Sequence, residues 1–393
     1  MPIHYNFDKV LDRQKSDCDK WTKFEQDVLP MWVADMDFIS PEPVIRALRE
    51  RANHGIFGYP GSLTGIQDGL CDIRTTIVER LYRLYHWKIE LEHIVMLPGV
   101  IIGFNLACHA FCNEHEAVMV QTPVYPPILH AAQNTGVAGQ EMDLSRQSGG
   151  NYSIDWDQFE SIINKQTKLF ILCNPHNPIG KVFTHDELLH IGETCLRKGV
   201  IICSDEIHSD LVFPGNQHIP IASLDPELAQ SCITLMAPSK TYNLAGLQCS
   251  YAIIPNGELR LRYLKARKGL VPWVNLMGIL AANSAYQEGQ EWLDQLLIYL
   301  ETNRDFVTRF VAENLDGIKM SIPQATYLAW LDCHQAGIQG SPAEFFLKHG
   351  RLALNAGESF GKGGEGFVRL NFGCPHRLLE DGLNRIRQAL TKS

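Results

Sequence analysis

The chain has 393 residues, of which 45% are hydrophobic and 20% are charged, and its formal net charge is −9. This is the composition of an ordinary globular protein, with enough residues for two domains. The negative charge is spread without long acidic blocks. It argues against nucleic acid or a membrane surface as the main partner, because both attract basic patches. A local basic pocket for a phosphate remains compatible with it.

The chain carries 11 cysteines, an odd number, and most of them lie in apolar segments. No CxxC pair occurs, so we expect neither a zinc site nor thioredoxin-type chemistry, and no bound metal. The first residues lack the basic and apolar regions of a signal peptide. No stretch approaches the roughly 18 apolar residues of a membrane span. Free buried thiols without an export signal predict a cytoplasmic protein.

Short apolar runs in the middle of the chain predict strands that alternate with helices. A capping box formed by Thr184 and Glu187 predicts the start of one such helix, which Gly199 can end. Alternation of this kind favours a largely parallel, buried sheet. The predicted strands are residues 93–97, 117–121, 168–173, 200–203, 232–236 and 250–254.

After about residue 291 the pattern changes. It predicts a long helix over residues 291–314, a strand over 325–331, a helix that opens with a capping box at Ser341, a strand over 367–371 and a last helix over 377–390. We interpret this region as a smaller α+β domain against which the N-terminal segment packs. The predicted division is therefore a large domain at residues 46–290 and a small domain of residues 1–45 plus 291–393.

Chemically suggestive residues follow the predicted strands one after another. In a parallel sheet, ligands bind beyond the carboxyl ends of the strands. Gly99 lies in a turn into a helix, where backbone N–H groups could hold a phosphate. Tyr125 offers an aromatic ring, and residues 174–180 (NPHNPIG) form a loop in which two Asn-Pro pairs prevent a helix. Asp205 and Lys240 follow the next two strands.

Lys240 and Asp205 together suggest a carbonyl cofactor. A lysine at the mouth of a strand can form a Schiff base, and a buried aspartate can pair with a protonated pyridine nitrogen. Pyridoxal phosphate needs both residues. Each also has a plainer interpretation, Asp205 as a helix cap or surface acid and Lys240 as a solvated loop lysine. Five such loops in succession favour one shared cofactor site.

The motifs in these loops carry a family resemblance. Their order, Asn-Pro-x-Asn-Pro-x-Gly, Asp-Glu-x-His and Ser-Lys-Thr-x-Asn-Leu-Ala-Gly, resembles fold-type I pyridoxal-phosphate enzymes of the aspartate aminotransferase superfamily. Residues 30–38 (PMWVADMDF) and 57–60 (FGYP) resemble the MalY/PatB group of carbon–sulfur β-lyases, the cystathionine β-lyases. The resemblance covers nearly the whole chain. It implies an α/β fold with a large, mostly parallel sheet domain and a smaller α+β domain, in a homodimer with shared active sites.

The resemblance also implies a role for individual residues. Lys240 would bind the cofactor covalently and move a proton, Asp205 would pair with the ring nitrogen, and Arg369 would bind the substrate α-carboxylate through two hydrogen bonds. The other implied positions are Asn177 and His208 near the phenolic oxygen of the ring, Tyr125 stacked on the ring, Gly99, Val100, Ile101 and Ser239 at the phosphate, Ala34 and Asn177 at the substrate, and Tyr59, with a catalytic role, at the phosphate of the neighbouring subunit.

One position departs from the pattern of the superfamily. Many aminotransferases carry an arginine eight residues beyond the Schiff-base lysine, where it pairs with the phosphate, and here Gln248 takes that position. We therefore expect the phosphate to depend more on backbone N–H groups, on Ser239 and on Tyr59.

The implied reaction is the α,β-elimination of cystathionine, cysteine or a related S-amino acid to a thiol, pyruvate and ammonia. Two alternatives stay open. An aminotransferase would use the same site and the same carbanion, and a partner-binding regulator would carry the lyase activity only incidentally. A nicotinamide dehydrogenase has little support, because no GxGxxG motif follows a predicted strand.

Overall fold

The computed structural model describes residues 3–60 and 72–391. In this part of the chain, no helix has both the length and the apolar character that crossing a membrane requires. The α-helices are α1 (Asp19–Thr22), α2 (Glu42–His54), α3 (Ile73–Tyr85), α4 (Val100–Phe111), α5 (Pro126–Leu129), α6 (Ala131–Asn134), α7 (Trp156–Ile162), α8 (His185–Lys198), α9 (Pro226–Ala229), α10 (Gly257–Arg267), α11 (Leu276–Glu288), α12 (Gln290–Asn314), α13 (Pro342–Gly350) and α14 (His376–Thr391).

The strands are mostly short and belong to four separate sheets. They are β1 (Leu29–Pro30), β2 (Ile94–Leu97), β3 (Ala117–Thr122), β4 (Ala138–Asp143), β5 (Ser145–Arg146), β6 (Tyr152–Ser153), β7 (Thr167–Cys173), β8 (Ile201–Asp205), β9 (Cys232–Met236), β10 (Ser250–Ile253), β11 (Lys319–Met320), β12 (Leu328–Asp332), β13 (Leu352–Ala353), β14 (Asn355–Ala356) and β15 (Phe367–Asn371).

The largest sheet has seven strands in the order β2-β10-β9-β8-β7-β3-β4. All neighbours from β9 to β4 are parallel, and only β10 runs antiparallel to the strands on both of its sides. The predicted α/β fold with a mostly parallel sheet is therefore confirmed. Strands β2, β3, β8, β9 and β10 are almost wholly buried, because helices cover both faces of the sheet.

The carboxyl ends of the parallel strands meet at one edge of this sheet. Asp205, the last residue of β8, pairs with Cys173 of β7 on one side and with Leu235 of β9 on the other. Loops after these strands therefore face the same space. Helix α4 also begins there, directly after β2, with Gly99 as its N-cap residue.

A four-stranded antiparallel sheet, β11-β12-β15-β14, forms the C-terminal part of the fold. Arg369 lies in the middle of β15, opposite Trp330 of β12 and Asn355 of β14. The N-terminal segment joins this region through β1, which pairs in parallel with β13. The backbone N–H of Asn371 also donates to the carbonyl of Met31, at 2.9 Å. These contacts fix the N-terminal segment beside β15.

Several predicted elements differ from the structure. Strand β4 was not predicted, because it is an edge strand with polar residues that face solvent. The strand expected over 325–331 begins only at Leu328, after Thr326 with a positive φ of 72°. Thr184 and Glu187 form the predicted capping box. Ser341 is the N-cap of α13, but its side chain accepts no backbone N–H group, so that predicted capping box was wrong.

The predicted division into two domains stays a prediction. The junction of α11 and α12 at Gly289 lies beside the expected boundary at residue 290. Helix α2 runs through residue 46, so the N-terminal boundary would fall within a helix.

Candidate active site

A cavity of about 380 Å³ lies at the carboxyl edge of the large sheet. Loops that follow strands β2, β3, β7, β8 and β9 all contribute to its wall, together with the N-terminal segment. The sequence-predicted residues that line it are Ala34, Gly99, Val100, Ile101, Tyr125, Asn177, Asp205, His208, Ser239 and Lys240. The structure thus brings ten predicted positions into one space, and Gln248 lines it as well.

Lys240 lies in the loop after β9, and its side chain reaches the N-terminal segment. Its Nζ donates a hydrogen bond to the carbonyl oxygen of Ala34, at 2.7 Å. Burial lowers the pKa of Lys240 to about 8, while the charge of Asp35 opposes this shift. An amine with such a pKa is partly unprotonated near neutral pH, so it can act as a nucleophile or as a base.

Asp205 presents a buried carboxylate to the cavity. Its Oδ1 accepts one hydrogen bond, from the backbone N–H of Ile207 at 3.2 Å, and it forms no ion pair within the described residues. Burial raises the pKa of Asp205 to about 7. A cationic group bound against this carboxylate would reverse the shift and keep it ionised. The position is therefore suited to a protonated ring nitrogen.

Arg369 is a buried cation whose hydrogen-bond acceptors are all neutral. Nη1 donates to Asn177 Oδ1 at 2.9 Å, and Nη2 donates to the Trp32 carbonyl at 3.0 Å and to Asn355 Oδ1 at 2.6 Å. Its Nε is buried and has no partner among the described residues. Burial lowers the pKa of Arg369 to about 10. A buried cation that no carboxylate of the described chain neutralises is a candidate site for an anionic ligand group.

His208 and Tyr125 are neutral polar groups of the cavity wall. Burial lowers the pKa of His208 to about 3, with the charges of Lys240 and Arg369 acting in the same direction. Its Nδ1 is buried and has no hydrogen-bond partner in the part of the chain that the structure describes. Burial raises the pKa of Tyr125, so its hydroxyl keeps its proton. Both side chains can therefore contact a bound ring without adding charge.

The start of helix α4, which also lines the cavity, carries groups that can bind an anion. Helix α4 begins at Val100, and the N–H groups of its first turn have no acceptor within the helix. A Cβ added at Gly99 would meet no atom within 4 Å, so the approach to this helix end is open. Ser239 adds a hydroxyl group nearby, whereas Gln248 supplies no charge.

Together these groups match the chemistry of pyridoxal phosphate, the cofactor that the resemblance implies. Lys240 offers an amine for the aldehyde, Asp205 a carboxylate for the ring nitrogen, and the start of α4 a set of N–H donors for the phosphate. The unpartnered Nδ1 of His208 adds an unused polar group inside the same cavity.

Tyr59 lies apart from this constellation. Its side chain is 98% exposed and does not line the cavity of its own chain. The role predicted for Tyr59 requires a second subunit and stays a prediction.

Sequence reasoning missed several residues of the site. The Tyr327 hydroxyl donates to the Ala34 carbonyl at 2.9 Å, beside the bond from Lys240. Asp35 lies within the motif at residues 30–38, but the motif alone indicates no role for this side chain. Nothing in the sequence around Tyr327 indicates a site residue. Behind Lys240, the Thr241 hydroxyl donates to Asp210 at 2.9 Å, and Asp210 forms a buried ion pair.

The chain is similar to known proteins in both sequence and fold. The family model described as "Aminotransferase class I and II" matches residues 27–386. The cystathionine beta-lyase PatB of Bacillus subtilis (strain 168) is 40% identical over 98% of this chain and 100% of its own length.

Two solved structures are similar over 99% of this chain and 100% of theirs: cystalysin from Treponema denticola, which contains pyridoxal 5'-phosphate (TM-score 0.93, 30% identity), and the PLP-bound C–S lyase from Staphylococcus hominis (TM-score 0.92, 31% identity). The chain is therefore a member of the aminotransferase class I and II family.

Proposed function

We propose that this protein is a pyridoxal-phosphate-dependent carbon–sulfur β-lyase of the cystathionine β-lyase type. It cleaves an S-substituted amino acid such as cystathionine or cysteine by α,β-elimination and yields a thiol, pyruvate and ammonia. Full-length relatives with cystathionine β-lyase and C–S lyase names support this proposal.

The observation that carries the proposal is the placement of three groups around one cavity. The amine of Lys240 and the carboxylate of Asp205 line it, and the guanidinium of Arg369 adjoins it through Asn177. This set offers a nucleophilic amine, a partner for a cationic ring and a binding point for an α-carboxylate. An amino acid bound by such a set has its α-carbon within the same small space.

Each residue would then have a distinct task. Pyridoxal phosphate, when bound, supplies the electron sink that stabilises a carbanion at the α-carbon. Asp205 holds the ring nitrogen in its protonated form, and Arg369 orients the substrate by its carboxylate. The free amine of Lys240 would remove the α-proton as a base. Its lowered pKa serves this task, because an ordinary lysine amine is almost fully protonated at neutral pH.

The proposal is tested by product analysis. The purified holoenzyme is incubated with cystathionine or cysteine, with and without a keto acid, and pyruvate and thiol are measured. Formation of both products without a keto acid supports the lyase. Product that forms only when a keto acid is present would replace the lyase with a transferase.

An aminotransferase is the second candidate, because the matching family model carries that name. Both reactions need the same proton removal by Lys240. The lyase would then break the bond between the β-carbon and sulfur and release a thiol, whereas a transferase would leave that bond intact and pass the amino group to a keto acid. The cavity residues serve either outcome. The keto-acid test above separates them.

The proposed enzyme is a homodimer with shared active sites. Large apolar side chains of Ile56 and Phe57 are 65% and 61% exposed, beside the fully exposed Tyr59. Trp273, just before α11, is 63% exposed as well. Because α2 packs on α11, these side chains fit a surface that a second copy covers, and a partner's Tyr59 could then reach the phosphate end.

Subunit mixing tests this arrangement. Lys240→Ala and Tyr59→Ala variants are each expected to be nearly inactive alone. In a shared site, one subunit supplies Lys240 and the other supplies Tyr59. A mixed dimer then contains one site with both substitutions and one site with neither, so mixing restores activity. A mixture that stays inactive, although a tag on one variant co-purifies the other and so proves mixed dimers, would contradict shared sites. We further propose a cytoplasmic location and a division into large and small domains at the predicted boundaries.

A further inference from the structure

A cluster of four charged side chains, two of them buried and two partly exposed, lies next to Ala34, which accepts the hydrogen bond of Lys240, and has no part in the roles above. We call Arg13, Lys20, Asp35 and Asp37 the charge cluster. Lys20, only 1% exposed, has its Nζ 2.7 Å from Asp37 Oδ2 and 3.1 Å from the carbonyl oxygen of Asp35. Arg13 contacts Asp35 Oδ2 through Nη2 at 3.1 Å and Asp37 Oδ1 through Nη1 at 2.5 Å. Two cations thus balance two anions.

The backbone that carries Asp35 is fixed against the cavity. Ala34, the preceding residue, accepts the hydrogen bond from Lys240 Nζ at 2.7 Å. Asn371 Nδ2 donates to the carbonyls of Val33 and Asp35 at 2.6 and 2.7 Å. Asp35 is therefore held one residue away from the acceptor of the Lys240 amine.

The two carboxylates of the charge cluster are not equivalent. Asp37 is bonded by both cations and by Trp21 Nε1, at 2.8 Å. Within residues 3–60 and 72–391, Oδ2 of Asp35 has a hydrogen-bond partner but Oδ1 is buried without one. The Nζ of Lys20 is 3.5 Å from this Oδ1. Asp35 thus keeps negative charge that its own cluster satisfies only in part.

This remaining charge acts on the cavity. Burial lowers the pKa of Lys240, and Asp35 is the strongest group that opposes this effect, ahead of Asp205. The positive charge of Arg369 lowers the pKa of Lys240 further. Asp35 also contributes to raising the pKa of Tyr327, whose hydroxyl shares the Ala34 carbonyl with Lys240. His208, which lines the same cavity as Lys240, is neutral because burial lowers its pKa to about 3.

We propose that Asp35, held by Arg13 and Lys20, is the electrostatic counter-group of the free Lys240 amine and sets its affinity for a proton. This inference rests on the proposed function, in which Lys240 moves the α-proton. Asp35 is a positioning residue, since it acts through the lysine. Arg13 and Lys20 partly cancel the negative charge that Asp35 presents to Lys240. Asp35 therefore raises the base strength of Lys240, and the two cations lower it.

Competitive labelling of the cofactor-free protein tests the electrostatic part directly. Lys240 is acetylated with trace acetic anhydride at a series of pH values, and peptide mass spectrometry gives the midpoint of its reactivity. Asp35→Asn removes the negative charge, so the midpoint is expected to fall by about half a unit to one unit. Arg13→Gln removes a positive charge that partly cancels the charge of Asp35, so the midpoint is expected to rise. Asp35→Glu restores the charge and should lie near the wild type.

The matched control is Asp12→Asn, which removes one negative charge from an exposed residue of the same segment. It is expected to leave the midpoint unchanged. An unchanged midpoint in a folded Asp35→Asn protein, or shifts of the same sign in Asp35→Asn and Arg13→Gln, would overturn the proposal. If Asp35→Asn does not fold, Arg13→Gln decides: an upward shift supports the proposal, and no shift or a downward shift refutes it.

Kinetics of the holoenzyme provide the second readout. The acidic limb of the kcat profile reports the base in the substrate complex. It is expected to move in the same direction as the labelling midpoint, with little change in KM. Because labelling needs no turnover, a failed lyase assay with shifted midpoints would refute the proposed function alone. Shifted kinetics without shifted midpoints would refute the role of Asp35 alone.

Discussion

The two sides of the cavity are built in different ways. On one side, Asp205, His208 and Lys240 come from loops after neighbouring parallel strands, where the sheet itself brings them together. On the other side, Arg369 lies in the separate four-stranded sheet and is held by Asn355 and Trp32. The strand order of the large sheet determines where the first three residues lie. The position of Arg369 depends instead on how the N-terminal segment and the four-stranded sheet pack against the large sheet.

The two sides also carry opposite uncompensated charges. Asp205 has no cationic partner in an ion pair, and Arg369 has no anionic one, within the described residues. Burial accordingly raises the pKa of the first to about 7 and lowers that of the second to about 10. A buried charge without an opposite partner carries a desolvation penalty, and a ligand group of opposite charge offsets this penalty. These two charges suit a ligand that is cationic beside Asp205 and anionic beside Arg369.

Removing Lys240 is expected to have the largest effect. Lys240→Ala takes away both the amine that binds the cofactor and the base, so turnover should be abolished while non-covalent cofactor binding persists. Turnover is measured as pyruvate formation, and cofactor binding by equilibrium dialysis. The control Lys319→Ala alters an exposed lysine and should be active. Near-normal turnover of Lys240→Ala would remove this lysine from the mechanism.

Neutralising the anionic side should have the next largest effect. Asp205→Asn keeps the shape of the side chain but cannot hold a ring nitrogen in its protonated form. We expect kcat to fall by at least about 10²-fold, the size of effect seen when a preorganised electrostatic group is removed. Asp186→Asn, at a fully exposed carboxylate, is the matched control. A mild effect of Asp205→Asn would show that the ring proton is held in another way.

The cationic side can be probed without removing its charge. Arg369→Lys keeps the charge but loses the planar fork that binds a carboxylate through two hydrogen bonds. We expect KM to rise by about 10²-fold, with a smaller change in kcat, because one of the two charged hydrogen bonds to the carboxylate is lost. Arg351→Lys, on the surface beside Asp27, should leave KM unchanged. An unchanged KM in Arg369→Lys would place the carboxylate elsewhere.

The smallest effect concerns a carboxylate that is already compensated. Asp210 forms a buried ion pair with Arg80 at 2.7 Å and accepts from the Thr241 hydroxyl at 2.9 Å. Thr241→Val should lower the free energy of unfolding by about 1–3 kcal/mol, because Asp210 loses one donor. Urea denaturation measures this, with the exposed Thr302→Val as control. A loss of turnover as large as that of Asp205→Asn would contradict the contrast between the two aspartates.

Much of the large-sheet side could be predicted from the sequence. Apolar runs marked the parallel strands, and the residues after them, such as Asp205 and Lys240, had to lie at one edge. The resemblance, rather than any pattern around it, indicated Arg369. Strand β4 escaped prediction because its exposed polar residues carry no apolar run.

Other features depend on contacts between distant parts of the chain. The bond of Tyr327 to Ala34 joins residues 293 positions apart, and no local pattern reports such a contact. The charge cluster likewise brings Arg13 and Lys20 to Asp35 through the packing of the N-terminal segment. Segment 30–38 was noticed as a motif, but its electrostatic link to Lys240 became visible only in three dimensions.

The most direct test of the central claim is reduction of the holoprotein with sodium borohydride, followed by peptide mapping. We expect a yellow protein whose visible absorbance is lost on reduction, with the pyridoxyl group attached to the peptide that contains Lys240. A colourless protein that yields no adduct at Lys240, or an adduct at another lysine, would contradict the account.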